Sequence, residues 1–252
     1  MKPLKHSLRA GELAVGSWVS LGNAAIAEIM CAAGFDWVAI DLEHSSTTLA
    51  QTEDLIRTIA LAGKAPLVRL TANDPRQIKR VMDSGAHGII VPNVDSADEV
   101  VSAFRAMRYL PEGGRGLGLG RAQRYGAGLT EYREWLASSS VLVVQIEQVS
   151  ALDRLDAIFS CPELDAFMIG PYDLSASLGI PGDFQHPEFV AVMDRILQAG
   201  KAHGKPAGIH VVEPDARQLQ QRIDEGYRFI AYGVDFRMID VSCRQGLRAI
   251  GR

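Results

Sequence analysis

Trp37-Val38-Ala39-Ile40-Asp41-Leu42-Glu43-His44 reads as a short apolar strand that runs into three ionisable residues. An apolar run without strict alternation suits a parallel strand covered on both faces. Seven other segments have the same character: Val15–Ser20, Pro66–Leu70, Gly88–Pro92, Val141–Glu147, Ala166–Gly170, Ala207–Val212 and Phe229–Gly233. Helical patterns lie between them, at Ala24–Ala33, Thr52–Ala62, Pro75–Ser84 and Ala97–Met107. Gly34, Gly63, Gly85, Gly200 and Gly226 read as helix stops. Asn73-Asp74-Pro75 and the Ser96…Glu99 capping box read as starts. Eight strand–helix units over about 250 residues match the rhythm of a (β/α)₈ barrel. The expected fold is therefore α/β, one TIM barrel spanning 1–252 as a single domain. A doubly wound sheet is the competing architecture, but no GxGxxG follows the first strand. The glycines of Gly113–Gly120 sit in the long connection after strand four and open no obvious helix.

Composition excludes several classes of protein. Apolar residues make up 47% of the 252, so the chain has enough material for a core. Its apolar runs are strand-sized, far below the ~20 residues that cross a bilayer, and no membrane partner is expected. With 26 basic and 30 acidic residues the net charge is −4. Arg115, Arg121 and Arg124 form only a loose basic cluster, better suited to a small anion than to nucleic acid. Cys31, Cys161 and Cys243 are widely spaced and have neither metal nor disulfide spacing. With no secretory pattern at the start, a cytoplasmic location is expected.

In such a barrel the C-terminal strand ends form the active-site mouth. Here those ends carry Asp41, Glu43 and His44; Arg69; Gln145 and Glu147; Tyr172 and Asp173; His210, read as following strand seven; and Asp235. Packing gives an apolar strand no reason to end in a carboxylate, so several around one rim indicate a site. Glu147 and Asp173 follow neighbouring strands. Two carboxylates facing one point repel unless paired or protonated, and a hard divalent cation such as Mg²⁺ or Mn²⁺ (Co²⁺ as a substitute) suits them. The competing reading is that each caps a helix or pairs with an arginine. His44 fits a third ligand or a base. Arg69 stays charged and fits a clamp on a carboxylate or a developing enolate oxygen. Its alternative is an ion pair with Asp41 or Glu43.

Taken together, these segments resemble the HpcH/HpaI aldolase family, the metal-dependent class II pyruvate aldolases. The resemblance rests on Gly34-Phe35-Asp36-Trp37, Asp41-Leu42-Glu43-His44-Ser45, Val68-Arg69 and Asn73-Asp74-Pro75. It continues through Ile78–Ala86, Val91-Pro92, Gly114-Arg115-Gly116 with Arg121-Ala122, Gln145-Ile146-Glu147, Ile169–Ser175 and Gly233-Val234-Asp235. It implies that Glu147 and Asp173 hold the metal and that Arg69 contacts the pyruvate oxygens. It also implies that His44 serves base function with Asp83 pairing to it across the mouth. Gln145 would lie beside the metal, and the segment Gly170, Pro171, Tyr172 and Asp173 would receive the pyruvate carboxylate. The implied assembly is a hexamer in which the last helix, roughly Met238–Ile250, packs on a neighbour. Arg121 and Arg124 would then reach an acceptor across an interface.

The implied reaction is reversible aldol cleavage of a 4-hydroxy-2-oxo acid, of the 2-keto-3-deoxy sugar acid type, to pyruvate and an aldehyde or semialdehyde. Leu70-Thr71-Ala72-Asn73, Leu42 and Tyr172 depart from the better known members and fall around the acceptor pocket. Rival readings are a citryl- or malyl-thioester lyase, an oxaloacetate-using carbon–carbon bond enzyme, and a binding barrel without catalysis. The last would be expected to lose His44, Arg69, Glu147 or Asp173, and all four are present.

Overall fold

Residue parity along each strand sorts the apolar side chains into two cores. The computed structural model describes residues 2–252. Its strands are β1 (Ala14–Val19), β2 (Trp37–Asp41), β3 (Ala65–Arg69), β4 (Gly88–Val91), β5 (Val141–Ile146), β6 (Ala166–Ile169), β7 (Ala207–Val211) and β8 (Phe229–Val234). They close in sequence order into an all-parallel barrel. Val38, Ile40, Val68, Ile89, Val144, Phe167 and Ile209 point outward and pack with the helices. Trp37, Ala39, Leu67, Ile90, Val143, Met168, Phe229 and Ala231 fill the interior. Trp37 stacks on Phe229 at 4.4 Å between ring centroids. Every strand segment expected from the chain is present, with no end shifted by more than one residue.

The helices are α1 (Leu4–Arg9), α2 (Ala24–Ala33), α3 (Leu49–Leu61), α4 (Pro75–Asp83), α5 (Ala97–Met107) and α6 (Leu129–Ser139), followed by α7 (Leu155–Phe159), α8 (Pro171–Ser177), α9 (Pro187–Ala202), α10 (Ala216–Asp224) and α11 (Asp235–Arg248). α1 closes the end of the barrel opposite the mouth. Leu4 and Leu8 join the interior core, and Lys5 Nζ donates to Asp165 Oδ2 at 2.9 Å and to the Ser140 carbonyl at 2.8 Å. Asp74 caps α4 ahead of Pro75, as its sequence signals. The Ser96 side chain does not cap α5. Glu99 instead accepts from the Asp95 amide and the Ser96 hydroxyl. Gly200 ends no helix: it lies within α9, where any Cβ would run into the Phe167 ring, so close packing selects the glycine there.

α10 has no fully buried residue, with Leu219 and Ile223 only partly covered by the core, and α11 touches little beyond β1 and β8. On α11, Phe236, Ile239 and Leu247 are exposed, as is Ile250 just beyond it.

Candidate active site

The same parity that builds the interior core places its last layer at the mouth. Following the inward positions up each strand leads to Trp18, Asp41, Arg69, Gln145, Gly170 and His210, all lining one cavity of about 1640 Å³. His210 is thus a residue of β7 rather than of the loop after it, and it faces inward because Ile209 and Val211 face the helices.

Arg69 is held from two sides. Its Nε donates to Asp41 Oδ1 at 2.9 Å and its Nη2 to Asp41 Oδ2 at 2.7 Å, a two-pronged pair. Its guanidinium lies 4.5 Å from the Trp18 ring centroid. Asp41 also accepts from the Glu43 and His44 amides and from the Ser20 hydroxyl. Burial alone would raise the Asp41 pKa, but the Arg69 bonds, Arg69 charge and two amides outweigh it and hold it below the usual range. The alternative pairing of Arg69 with Asp41 is therefore present. It uses two of the five guanidinium N–H donors, leaving the others for a ligand. Arg69 Nη1 also approaches Glu43 Oε2 at 3.3 Å without hydrogen-bond geometry, and that oxygen is buried without a hydrogen-bond partner.

Glu147 is only 2% exposed. Its Oε1 accepts from the Asn93 amide at 2.7 Å and its Oε2 from Gln145 Nε2 at 2.8 Å. Neither partner carries charge. Burial, reinforced by the Glu43 and Asp173 carboxylates, pushes its pKa up to about 7 despite the Asn93 bond. Gly170 opposite must lack a side chain, because a Cβ there would collide with Glu147 Oε2. Gln145 Oε1 is buried without a partner. A carboxylate this short of positive charge, an orphaned amide oxygen and the nearby Asp173 make a hard-oxygen donor set that fits a divalent cation. Among the described residues, no three His, Cys, Asp or Glu side chains stand preassembled at metal-ligand spacing.

Asp173 lies in the first turn of α8, behind Pro171. Leu174 N donates to the Gly170 carbonyl, while the Tyr172 and Asp173 amides occupy the turn whose N–H groups have no helical partners. Tyr172 is 59% exposed and meets Phe184 edge-on at 5.0 Å. His44 also lines the mouth, with its Nε2 3.8 Å from Glu43 Oε2.

Three expected site residues lie elsewhere. Asp83 ends α4, which has carried the chain back to the strand-entrance end of the barrel. It pairs with Arg115 (Nη2 to Oδ1, 2.6 Å), not with His44. The expected pairing with His44 across the mouth is thus not made within one chain, because a helix C-terminus and a strand C-terminus lie at opposite ends. Arg121 donates to the Ser84 carbonyl at the same far end. Arg124 sits in a strained turn where it and Tyr125 both have positive φ, 50° and 57°. Sequence reasoning gave no role to Trp18 or Ser20. The Trp18-x-Ser20 spacing at the end of β1 was the available signal, weak because a tryptophan there equally suits a core.

A closed parallel barrel whose mouth gathers buried carboxylates, an anchored arginine and free helix-start amides defines an enzyme for small oxyanionic substrates. Residues 14–240 match the family model described as HpcH/HpaI aldolase/citrate lyase. The chain is 38% identical over 235 residues to 2-keto-3-deoxy-L-rhamnonate aldolase of Escherichia coli O157:H7, covering 92% of this chain and 87% of that one. It superposes on an HpcH/HpaI aldolase/citrate lyase family protein from Burkholderia cenocepacia J2315 with a TM-score of 0.92, 33% identity and 99% of each chain covered. The citrate synthase SbnG is similar at 28% identity, with a TM-score of 0.84 and 99% of each chain covered. The chain belongs to the HpcH/HpaI aldolase/citrate lyase family. It is an enzyme of the class II aldolase and lyase type.

Proposed function

We propose that the protein catalyses reversible aldol cleavage of a 4-hydroxy-2-oxo acid, of the 2-keto-3-deoxy sugar acid type, to pyruvate and an aldehyde. The observation that carries this reading is the buried, under-compensated carboxylate Glu147, bonded to Gln145 and near Asp173, two residues that line the same cavity as Arg69. Glu147 and Asp173 would hold Mg²⁺ or Mn²⁺, with Gln145 Oε1 beside it. When bound, a divalent cation supplies Lewis-acid chemistry that draws electrons from a 2-oxo group. Arg69 donates its remaining N–H groups to the oxygens of the pyruvate half, and charge developing there meets a donor already oriented by Asp41. The Tyr172 and Asp173 amides receive the carboxylate at the start of α8. Pro171 has no N–H to offer and presets the turn. His44 takes the C4-hydroxyl proton, directly or by relay through a water.

The test is a panel of aldehydes with pyruvate as donor, run with Mg²⁺ or Mn²⁺ and after rigorous chelation. Condensation products are expected only with the ion, and robust condensation without it would sink the mechanism. The likeness to the citrate synthase SbnG favours a second reading, in which oxaloacetate is used in carbon–carbon bond formation. Carbon–carbon bond formation from oxaloacetate, with no turnover of any pyruvate–aldehyde pair, would select it.

We also propose that residues 1–252 work as one catalytic barrel inside a closed homo-oligomer, a hexamer, in the cytoplasm. The unfilled wall supports the assembly. α10 has no fully buried residue, the large cavity continues from the mouth past Met193, Leu197 and Tyr227, and α11 exposes Phe236 and Ile239. A neighbour's α11 region seated in that wall would bury both apolar faces at once. The same assembly is the route by which a neighbour's Asp83, Arg121 or Arg124 would reach this mouth. Light scattering is expected to give a six-chain mass, and a monomer mass would defeat the proposal. No helix among the described residues is long and apolar enough to cross a membrane.

A further inference from the structure

His210 belongs to the top interior layer, but the reaction outlined above gives it no task. Its Nε2 lies 3.0 Å from the Gly233 carbonyl oxygen. A carbonyl only accepts, so Nε2 carries the hydrogen and donates it. The Gly233 oxygen is itself held, since the Ser17 hydroxyl also donates to it at 3.2 Å. The His210 ring meets Trp18 edge-on, with centroids 5.9 Å apart, and Trp18 in turn lies under the Arg69 guanidinium. Those contacts fix both the ring plane and the tautomer. Burial, with Arg69 nearby, brings the imidazole pKa down to about 4, so the ring is neutral at physiological pH. Nδ1 is then an unprotonated acceptor. It has no hydrogen-bond partner among the described residues, and it is not one of the sealed, unpartnered polar atoms of the interior. It belongs to a side chain that lines the mouth cavity together with Trp18, Arg69 and Gln145.

A lone-pair acceptor needs a donor from the ligand. The pyruvate half of a 4-hydroxy-2-oxo acid offers none, because its carboxylate and carbonyl oxygens only accept. The donors of such a molecule are the hydroxyls at C4 and beyond. The C4 hydroxyl gives up its proton in the reaction, and a neutral imidazole with so low a pKa is a poor base for it. We infer that His210 is a specificity-determining residue whose Nδ1 accepts a hydrogen bond from a hydroxyl of the aldehyde-derived half, beyond C4. This rests on the aldol reading proposed above. It makes the pocket selective for hydroxylated aldehydes over their deoxy counterparts.

The experiment compares glycolaldehyde with acetaldehyde as acceptors for pyruvate, using the full-length metal-supplemented protein. Exchange of the pyruvate methyl protons in deuterated water is followed alongside. The wild type is expected to favour glycolaldehyde in kcat/KM. His210→Leu is expected to lower the glycolaldehyde-to-acetaldehyde ratio about tenfold, the scale of one hydrogen bond to a neutral acceptor. His210→Asn keeps an acceptor near the Nδ1 position and is expected to recover part of that ratio. A merely structural role would depress both aldehydes alike and leave the ratio where it was. An unchanged ratio in His210→Leu, with wild-type pyruvate exchange intact, overturns this assignment and leaves the aldol reading standing. Absence of pyruvate exchange and condensation in the wild type overturns both.

Discussion

In metal-free protein Glu147 is expected to contribute up to ~3 kcal/mol less stability at about pH 7 than at about pH 4.5, and Glu147→Gln is expected to remove that difference from the pH profile. The sign follows from linkage. The folded-state pKa of Glu147 is raised from 4.5 to about 7 by burial and by neighbouring carboxylates. Between those values the folded protein holds a proton that the unfolded chain has released. The stabilisation is complete below pH 4.5 and is gone once the pH passes 7. His87 and His210 act oppositely. Burial lowers both to about 4, so their contribution rises with pH up to the unfolded histidine value of 6.5. The comparison with Glu147→Gln isolates the glutamate from that background. Urea unfolding of chelated wild type and variant at pH 5 and pH 8 measures it. Mg²⁺ or Mn²⁺ should restore stability to the wild type at pH 8 and leave the variant nearly unchanged. The same variant should lose roughly 10³-fold in aldol activity, since the amide keeps the shape but not the charge that holds the cation. Parallel pH profiles for the two proteins would contradict the account of this site.

Arg69→Lys should lower kcat/KM on a retro-aldol substrate by about 10²-fold although the charge is kept. A lysine cannot make both the Nε and Nη2 bonds to Asp41, nor present a flat cation 4.5 Å from the Trp18 ring. Asp41, only 3% exposed, would lose part of the pairing that offsets its burial. A stability loss of about 2 kcal/mol should accompany the kinetic one. Steady-state kinetics and a denaturation curve on one preparation test both, and an unchanged kcat/KM would remove Arg69 from the reaction.

The barrel was legible in the chain because each strand is buried on both faces and each helix on one. Eight apolar runs therefore alternate with amphipathic stretches regardless of what they later contact. The carboxylates were legible for a related reason: Glu147 and Asp173 end apolar segments where packing has no use for charge. Gly200 was misread because a glycine that ends a helix and a glycine that admits a phenylalanine ring look the same in one dimension. The motif around Asp83 carries no information about which end of the barrel it occupies, so its pairing with Arg115 in place of His44 within one chain emerges only from the fold. His210 stands out in the chain, but its tautomer is set by the Gly233 carbonyl and its ring plane by Trp18, neither of which a stretch of sequence shows.

Period and composition act locally, and so the alternation of elements, the barrel and the identity of the charged rim could be read from residues in a row. Burial, pairing and protonation depend on what lies across the barrel. Strand pairing brings Asp41 of β2 onto Arg69 of β3, burial leaves Glu147 with neutral partners beside other carboxylates, and closure of the barrel sets Trp18 of β1 against His210 of β7. These are sums over neighbours distant in sequence, taken in a medium where water no longer screens the charges. The same reason separates α9 and α10, whose Leu197, Leu219 and Ile223 pack against the core, from α11, whose Phe236 and Ile239 stay exposed: amphipathic stretches look alike in sequence, and only the fold decides which face is covered.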